Sequence, residues 1–251
     1  MERLVSLAPS ATSTVQALGA PDRLVGVTEH DDVDSVPALG GWLTPDLDRL
    51  DDLDPDLVLT ADPLQGDLHD AVADRGHRTF HHEPATLEDV LDGFAAIGDA
   101  IGLPEAGRNL AATSRRRIEA VRDATPADPA ARPVIYCEEW PDPPMAAGNW
   151  VPEAVAAAGG RYPFNDPGAR SEAIEREAVR GADPDHVVVH HCGVGEQATT
   201  DVTDRWELDA ELHVIDDGLL NQPGPKLIDG VERLAARFHG VSPAPAEHAS
   251  H

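Results

Sequence analysis

Four tryptophans stand out in a chain whose aromatic residues amount to only 4%. Trp42 follows Gly40-Gly41, Trp140 sits between Glu138-Glu139 and Pro141-Asp142-Pro143-Pro144, and Trp150 follows Gly148-Asn149. These three lie in Gly/Pro loops rather than on periodic core faces. A flat apolar ring in such a loop can wall a large planar ligand. The plainer reading is a ring that pins an irregular segment to its lobe, and composition alone favours it. Trp206, in a polar stretch, is read only as such an anchor. The 12 histidines include His81-His82 and His190-His191, each near the carboxyl end of a predicted strand. Ligands bind on that side of open α/β sheets. Neighbouring strand residues point to opposite faces, so each pair offers at most one ring to a site. Polar capping of strand ends is the favoured account; His191 stands only as a candidate axial ligand to a bound metal centre.

Other chemistry finds little support. Cys137 and Cys192 are too few for a disulfide framework or, alone, a structural zinc site, and are read as small buried thiols. There is no GxGxxG after a first strand, no GxxxxGK[ST], no GxSxG, and no HExxH or His/Asp triad spacing. Carboxylates are too numerous for an acid–base pair to be singled out. No catalytic residue is assigned and the chain is read as a non-enzyme.

The elements that would position these residues alternate as in an α/β chain. Strands are predicted at Leu4 to Leu7, Leu24 to Thr28, Leu57 to Thr60 and Arg78 to His81, with helices at Ser10 to Leu18 and Gly66 to Ala73. That spacing favours a mainly parallel sheet. Thr86 to Ile101 is the clearest amphipathic helix. Pro104 to Ala124 would run about 30 Å as a helix, and its sparse apolar positions Leu110, Ile118 and Val121 suit a spine joining two lobes. The second half predicts a strand at Pro133 to Cys137, a loop from Glu138 to Asn149, and a helix at Val151 to Ala158. A helix-like stretch, Glu172 to Arg180, then leads to strands at His186 to His191 and Glu211 to Ile215, and Pro223 to Phe238 is a closing helix. An internal echo links the halves: Asp54-Pro55-Asp56-Leu57-Val58-Leu59-Thr60 recurs as Asp183-Pro184-Asp185-His186-Val187-Val188-Val189. The expected fold is therefore α/β: two lobes, each with a mainly parallel sheet, bridged by one long α-helix. The boundaries are residues 1–103 for the N-terminal lobe, 104–124 for the linking helix, 125–240 for the C-terminal lobe, and 241–251 for a disordered tail.

Charge narrows the function. Among 251 residues, 19 are Lys or Arg and 46 are Asp or Glu, a net of −27, with Lys226 the only lysine. Such a surface repels nucleic acid and anionic membranes. Spread acidity with almost no lysine suits a very salty cytosol, where self-repulsion is screened. No apolar run approaches the roughly 18 residues of a membrane span. The start Met1-Glu2-Arg3-Leu4-Val5-Ser6-Leu7 shows no charged n-region, long apolar run or lipid-accepting Cys. The expectation is a cytoplasmic protein, or an extracytoplasmic one if a leader was removed.

Several stretches resemble one family. The start Leu4-Val5-Ser6-Leu7-Ala8-Pro9-Ser10-Ala11-Thr12, with Ala17-Leu18-Gly19 and Leu24-Val25-Gly26-Val27-Thr28, is similar to the opening of cobalamin (vitamin B12) binding proteins. These belong to the helical-backbone class of ABC-importer binding proteins. The likeness continues through Leu53 to Thr60, Glu139-Trp140-Pro141-Asp142-Pro143-Pro144, Ala147-Gly148-Asn149-Trp150-Val151-Pro152-Glu153 and Ala158-Gly159-Gly160. It ends with Asp183-Pro184-Asp185, Cys192-Gly193 and Asn221-Gln222-Pro223-Gly224-Pro225-Lys226-Leu227. The resemblance implies two α/β lobes, a bridging helix and a ligand cleft between the lobes. It places Pro9, Ser10, Ala11, Trp42 and Asp62, in the loop after Thr60, on one wall. Asn149, Trp150, Cys192, Gly193 and Asn221 fall on the other. Cobalamin as bound ligand, no catalytic cofactor, and an ABC permease as partner are what the resemblance implies. Trp42 and Trp150 then have a reason, since a corrin ring is apolar on its faces and edged with amides. The competing readings are a haem or ferric-siderophore binder of the same fold, a cytoplasmic corrinoid-salvage protein acting as an enzyme, or a structural or partner-binding protein with an empty cleft.

Overall fold

Consecutive β-formers without polar alternation make strands that are buried on both faces, and each half of the chain builds its sheet from such runs. The computed structural model describes residues 2–31, 33–198 and 201–241, without the side chain of Glu196. The chain divides into two units, the first comprising Met1–Pro84 and Glu88–Ala112, the second Ala85–Leu87 and Thr113–His251. The tail predicted from residue 241 lies, from 242 onward, outside the described residues.

The first unit runs β1 (Leu4–Ser6), α1 (Pro9–Ala17), β2 (Leu24–Gly26), the two-residue strands β3 (Gly40–Gly41) and β4 (Thr44–Pro45), α2 (Leu47–Leu53), β5 (Leu57–Ala61), α3 (Gly66–Asp74), β6 (Thr79–His82), α4 (Leu87–Ala100) and the start of α5 (Pro104–Ala124). Its sheet has the order β2-β1-β5-β6 and is parallel throughout. The two-residue side-chain period sorts the core. Leu4, Leu57 and Leu59 face a cluster with Val15, Ile97 and Ile101, while Val5, Leu7 and Val58 face another with Leu39, Leu50 and Val72.

The second unit continues with β7 (Ile135–Pro141), β8 (Pro144–Ala146), α6 (Val151–Ala157), β9 (Glu172–Ala173), α7 (Arg176–Ala182), β10 (His186–Val189), α8 (Val202–Trp206), β11 (Glu211–Val214) and α9 (Lys226–His239). Its sheet has the order β11-β10-β7-β8-β9, with β11, β10 and β7 parallel and β8 and β9 added antiparallel. The expected α/β class with parallel sheets is therefore what forms.

Two local expectations are corrected. Glu138 to Asn149 is not all loop: β7 runs on to Pro141 and turns through Asp142-Pro143 into β8, with Pro141 opposite Pro144. Prolines cannot donate to a ladder and so suit the end of a hairpin. The helix-like stretch from Glu172 begins instead as the edge strand β9, and α7 starts only at Arg176.

The Asp-Pro-Asp echo is a repeated device. Asp54 and Asp183 end α2 and α7 in the left-handed conformation, at φ 45° and 50°. Two residues on, the Asp56 carboxylate accepts from the Arg3 N–H and the Asp185 carboxylate from the Val134 N–H, both at 2.7 Å. Each motif thus stops a helix and ties the next strand to the start of its parallel neighbour.

Candidate functional site

Each unit presents loops at the carboxyl ends of its parallel strands, where ligands of open α/β sheets bind. In the first unit, β1 leads into α1, whose first turn holds Pro9, Ser10 and Ala11; these residues are helical rather than loop, and Ser10 and Ala11 are buried. The β3–β4 pair closes a two-residue turn, Trp42-Leu43, with Gly41 opposite Thr44. Trp42 is half-buried at this tip and Leu43 is exposed. After β5, Asp62 takes φ 72° and its carboxylate accepts from the Leu64 N–H at 2.8 Å, a turn that leaves the Leu64 side chain exposed.

Gln65 joins these pieces and went unnoticed in the sequence. Its fully buried amide donates to the carbonyls of Leu7 at 2.7 Å and Trp42 at 2.5 Å, and accepts from the Ala61 N–H at 2.8 Å. One side chain thereby fastens the ends of β1 and β5 to the Trp42 hairpin. Only its place in a turn after a buried strand could have pointed to it. His81 and His82 are engaged nearby: His81 bonds Thr60 and Glu83, and His82 bonds the Asp89 carbonyl.

In the second unit, two layers of polar side chains gather where β7 and β10 end. The inner layer centres on Glu138, which is fully buried. Arg205 donates to its two oxygens at 2.7 and 3.0 Å, the Tyr136 hydroxyl donates at 3.1 Å, and His191 Nε2 lies at 3.0 Å. Burial, then the Glu138 charge, pushes the Tyr136 phenol well above its ordinary range, so it stays a donor. His191 is thus committed to Glu138 and is not offered as an axial ligand, which corrects that expectation.

The outer layer holds Cys192, Gly193 and Asn221 together. Asn221 Nδ2 donates to the His190 carbonyl at 3.0 Å and the Cys192 sulfur at 2.9 Å, and its Oδ1 accepts from His190 Nδ1. Burial holds the His190 imidazole below its usual value, so it stays neutral. Among the described residues, its Nε2 is buried without a hydrogen-bond partner. The Gly193 and Gly195 amides grip the two oxygens of Asp217 at 2.8 and 3.0 Å, which ties this loop to the turn before Asn221. Cys192 is exposed rather than buried as expected, whereas Cys137 is buried. Desolvation around the sulfur and the Glu139 carboxylate push the Cys192 thiol up to about 12. That is the reverse of nucleophile activation.

Asn149 adopts φ 52°, and its backbone exchanges hydrogen bonds with Ala169 and Gly168 at 2.5 and 3.0 Å. A Cβ on Gly148 would lie 2.3 Å from the Ala169 carbonyl, so only glycine admits this approach. Trp150 departs from expectation. It is 4% exposed, caps α6, and donates its indole N–H to the Leu220 carbonyl at 2.7 Å, beside Asn221. It is a packed support rather than an open wall. The exposed ring of this unit is Trp140, 44% accessible on the β7–β8 hairpin. Trp206 is also no loop anchor: it lies in α8, is 4% exposed, and stacks on Tyr136 with centroids 5.3 Å apart.

The chain matches the family described as periplasmic binding protein over residues 4–228. It is 27% identical to a cobalamin-binding protein of Halobacterium salinarum, in an alignment covering 96% of this chain and 70% of that protein. Two solved structures share the fold at 23% identity. One is the periplasmic vitamin B12 binding protein of Vibrio cholerae, with a TM-score of 0.75 over 94% of this chain and 96% of that one. The other is a periplasmic heme binding protein from Pseudomonas aeruginosa, with a TM-score of 0.78 over 96% and 94%.

Proposed function

Because the chain belongs to the periplasmic binding protein family, we propose that it is a non-enzymatic binding protein for cobalamin or a related corrinoid, working with an ABC permease. The observation that carries this reading is the cobalamin-binding relative, similar over 96% of the chain. The carboxyl-end surfaces suit such a ligand. The first unit offers Trp42, Leu43 and Leu64 as apolar area on the loops after β3 and β5, with Asp62 in the turn before Leu64, while α1 opens with Pro9, Ser10 and Ala11 after β1. The second offers the side-chain amide of Asn149, the remaining lone pair of Asn221 Oδ1, the loop at Cys192-Gly193 and the ring of Trp140. Corrin faces are apolar and its rim amides need donors and acceptors. A ferric siderophore is usually anionic, and Glu139 and Asp217 at this surface oppose one. Haem is the second reading, favoured by the fold shared with the Pseudomonas protein.

Gel filtration after incubation with cyanocobalamin, haemin or a ferric siderophore separates the readings. Co-elution of one equivalent of the cobalamin spectrum is the expected result. Retention of haemin with no retained cobalamin would overturn it.

None of the described helices is long and apolar enough to cross a membrane. The family favours action on the outer side of the membrane over the cytoplasmic expectation, and cell fractionation decides between them. The −27 charge is read as an adaptation to high salt. Dilution from molar to about 0.01 M KCl lengthens the Debye length from about 3 to about 30 Å, so mutual repulsion spreads across the surface. The melting temperature should fall on dilution; a flat or rising trace would contradict the salt reading.

A further inference from the structure

At the other end of the second unit's sheet, His186 opens β10, while Glu211 and His213 lie on β11. The parallel register puts His186 directly opposite Glu211. The two-residue period places His213 on the same face as Glu211. His186 Nδ1 and His213 Nε2 are 3.0 Å apart, and the Glu211 oxygens lie 3.8 Å from the first and 3.9 Å from the second. All three ligand atoms fall within 4.8 Å of one another. We infer that His186, Glu211 and His213 form a binding site for a borderline divalent transition metal ion of the zinc class.

Two imidazoles and one carboxylate are a zinc-type ligand set, and a tetrahedral ion with bonds of about 2.0–2.1 Å spaces its ligand atoms about 3.3 Å apart. The nitrogens need to part by a few tenths of an ångström, and a single Glu211 oxygen, within 4.8 Å of both nitrogens, needs to close by up to about 1.5 Å. The Glu211 side chain is 68% exposed and free to do so, whereas the His213 side chain is 4% exposed and held in place. Phe238 of α9 packs beside both rings, with centroids 5.2 and 6.4 Å away. Burial lowers both imidazoles from their usual value and keeps them in the neutral form that ligates. Metal-free, the two nitrogens share one hydrogen bond; an ion would replace it, the donor ring shifting its proton to its other nitrogen, and would take water at its open position. The site would clasp β10 to β11. It shares no residue with the proposed corrinoid surface, so it stands or falls independently of that reading.

The test uses the full chain, stripped with chelator and free of cobalamin, titrated with Co²⁺ and then Zn²⁺ in high-salt buffer. One equivalent of Co²⁺ should give a visible d–d spectrum that Zn²⁺ abolishes, and Zn²⁺ should raise the melting temperature. Glu211→Gln, at an exposed position, should weaken binding at least tenfold while leaving the metal-free melting temperature unchanged. His213→Gln should remove the spectrum. Histidines outside the described residues would respond alike in all three proteins, so the comparison isolates this site. A parent without a saturable one-equivalent signal, or a Glu211→Gln variant that binds as tightly as the parent, overturns the assignment.

Discussion

Arg205→Met is expected to destabilise the second unit by about 3 kcal/mol, the low end of the range for breaking a buried ion pair. Glu138 has no solvent access, and Arg205 supplies its only formal positive charge at hydrogen-bond distance among the described residues, at 2.7 and 3.0 Å. Tyr136 and His191 still contact the carboxylate in the variant, but hydrogen bonds alone do not replace a full opposite charge. The Arg205 side chain is 32% exposed, which lets water relieve part of the loss. Its guanidinium also sits over Trp206, 5.5 Å from the ring centroid, and that contact goes too. Urea and thermal unfolding of Arg205→Met, Glu138→Gln and the double variant form a cycle. The double variant should recover much of the stability lost in Arg205→Met, because the stranded charge is gone. An Arg205→Met loss below about 1 kcal/mol would show that the pair is not what holds Glu138 in the interior.

The second large effect concerns ligand affinity. Trp42→Ala should weaken cobalamin binding about a hundredfold, since a lost ring contact of a few kcal/mol corresponds to tenfold per 1.4 kcal/mol. Its half-buried place at the hairpin tip means that folding should change little. Gln65→Leu should also weaken binding, but through position: it leaves the Leu7 and Trp42 carbonyls and the Ala61 N–H without their partner. Buried orphans of that kind cost about 1–3 kcal/mol each, so this variant should lose stability as well. Trp150→Ala should behave like Gln65→Leu rather than like Trp42→Ala, because Trp150 is packed and bonded to Leu220. Quenching of tryptophan fluorescence by cobalamin gives the affinities, and thermal unfolding gives the stabilities. If Trp42→Ala binds as tightly as the parent, the ring is not a ligand wall.

Local pattern sufficed wherever the deciding interaction is local. Runs such as Leu57 to Thr60 and Val187 to Val189 announce strands because β-formers without polar breaks suit a sheet covered on both faces. Pro104 to Ala124 is helical over the stretch expected, since Pro104 suits a first turn and helix formers follow. The Asp-Pro-Asp turns were visible as an echo, because ending a helix and entering a strand needs only neighbouring residues.

Only tertiary structure decided which polar and aromatic residues would be inside. Glu138 and Glu139 look like loop because two acids beside prolines suit solvent; Arg205, 67 residues from Glu138 along the chain, makes burial of Glu138 tolerable. Trp150 and Trp206 stand beside Gly and polar residues in sequence, yet pack against Leu220 and Tyr136, contacts that no local period encodes. Gln65 has meaning only once β1, β5 and the hairpin converge on it. His186, Glu211 and His213 meet only because parallel register sets β10 against β11. Composition and periodicity report the average environment of a segment; whether a charge or a ring is buried depends on the free energy of one distant partner, and that partner is chosen by the fold.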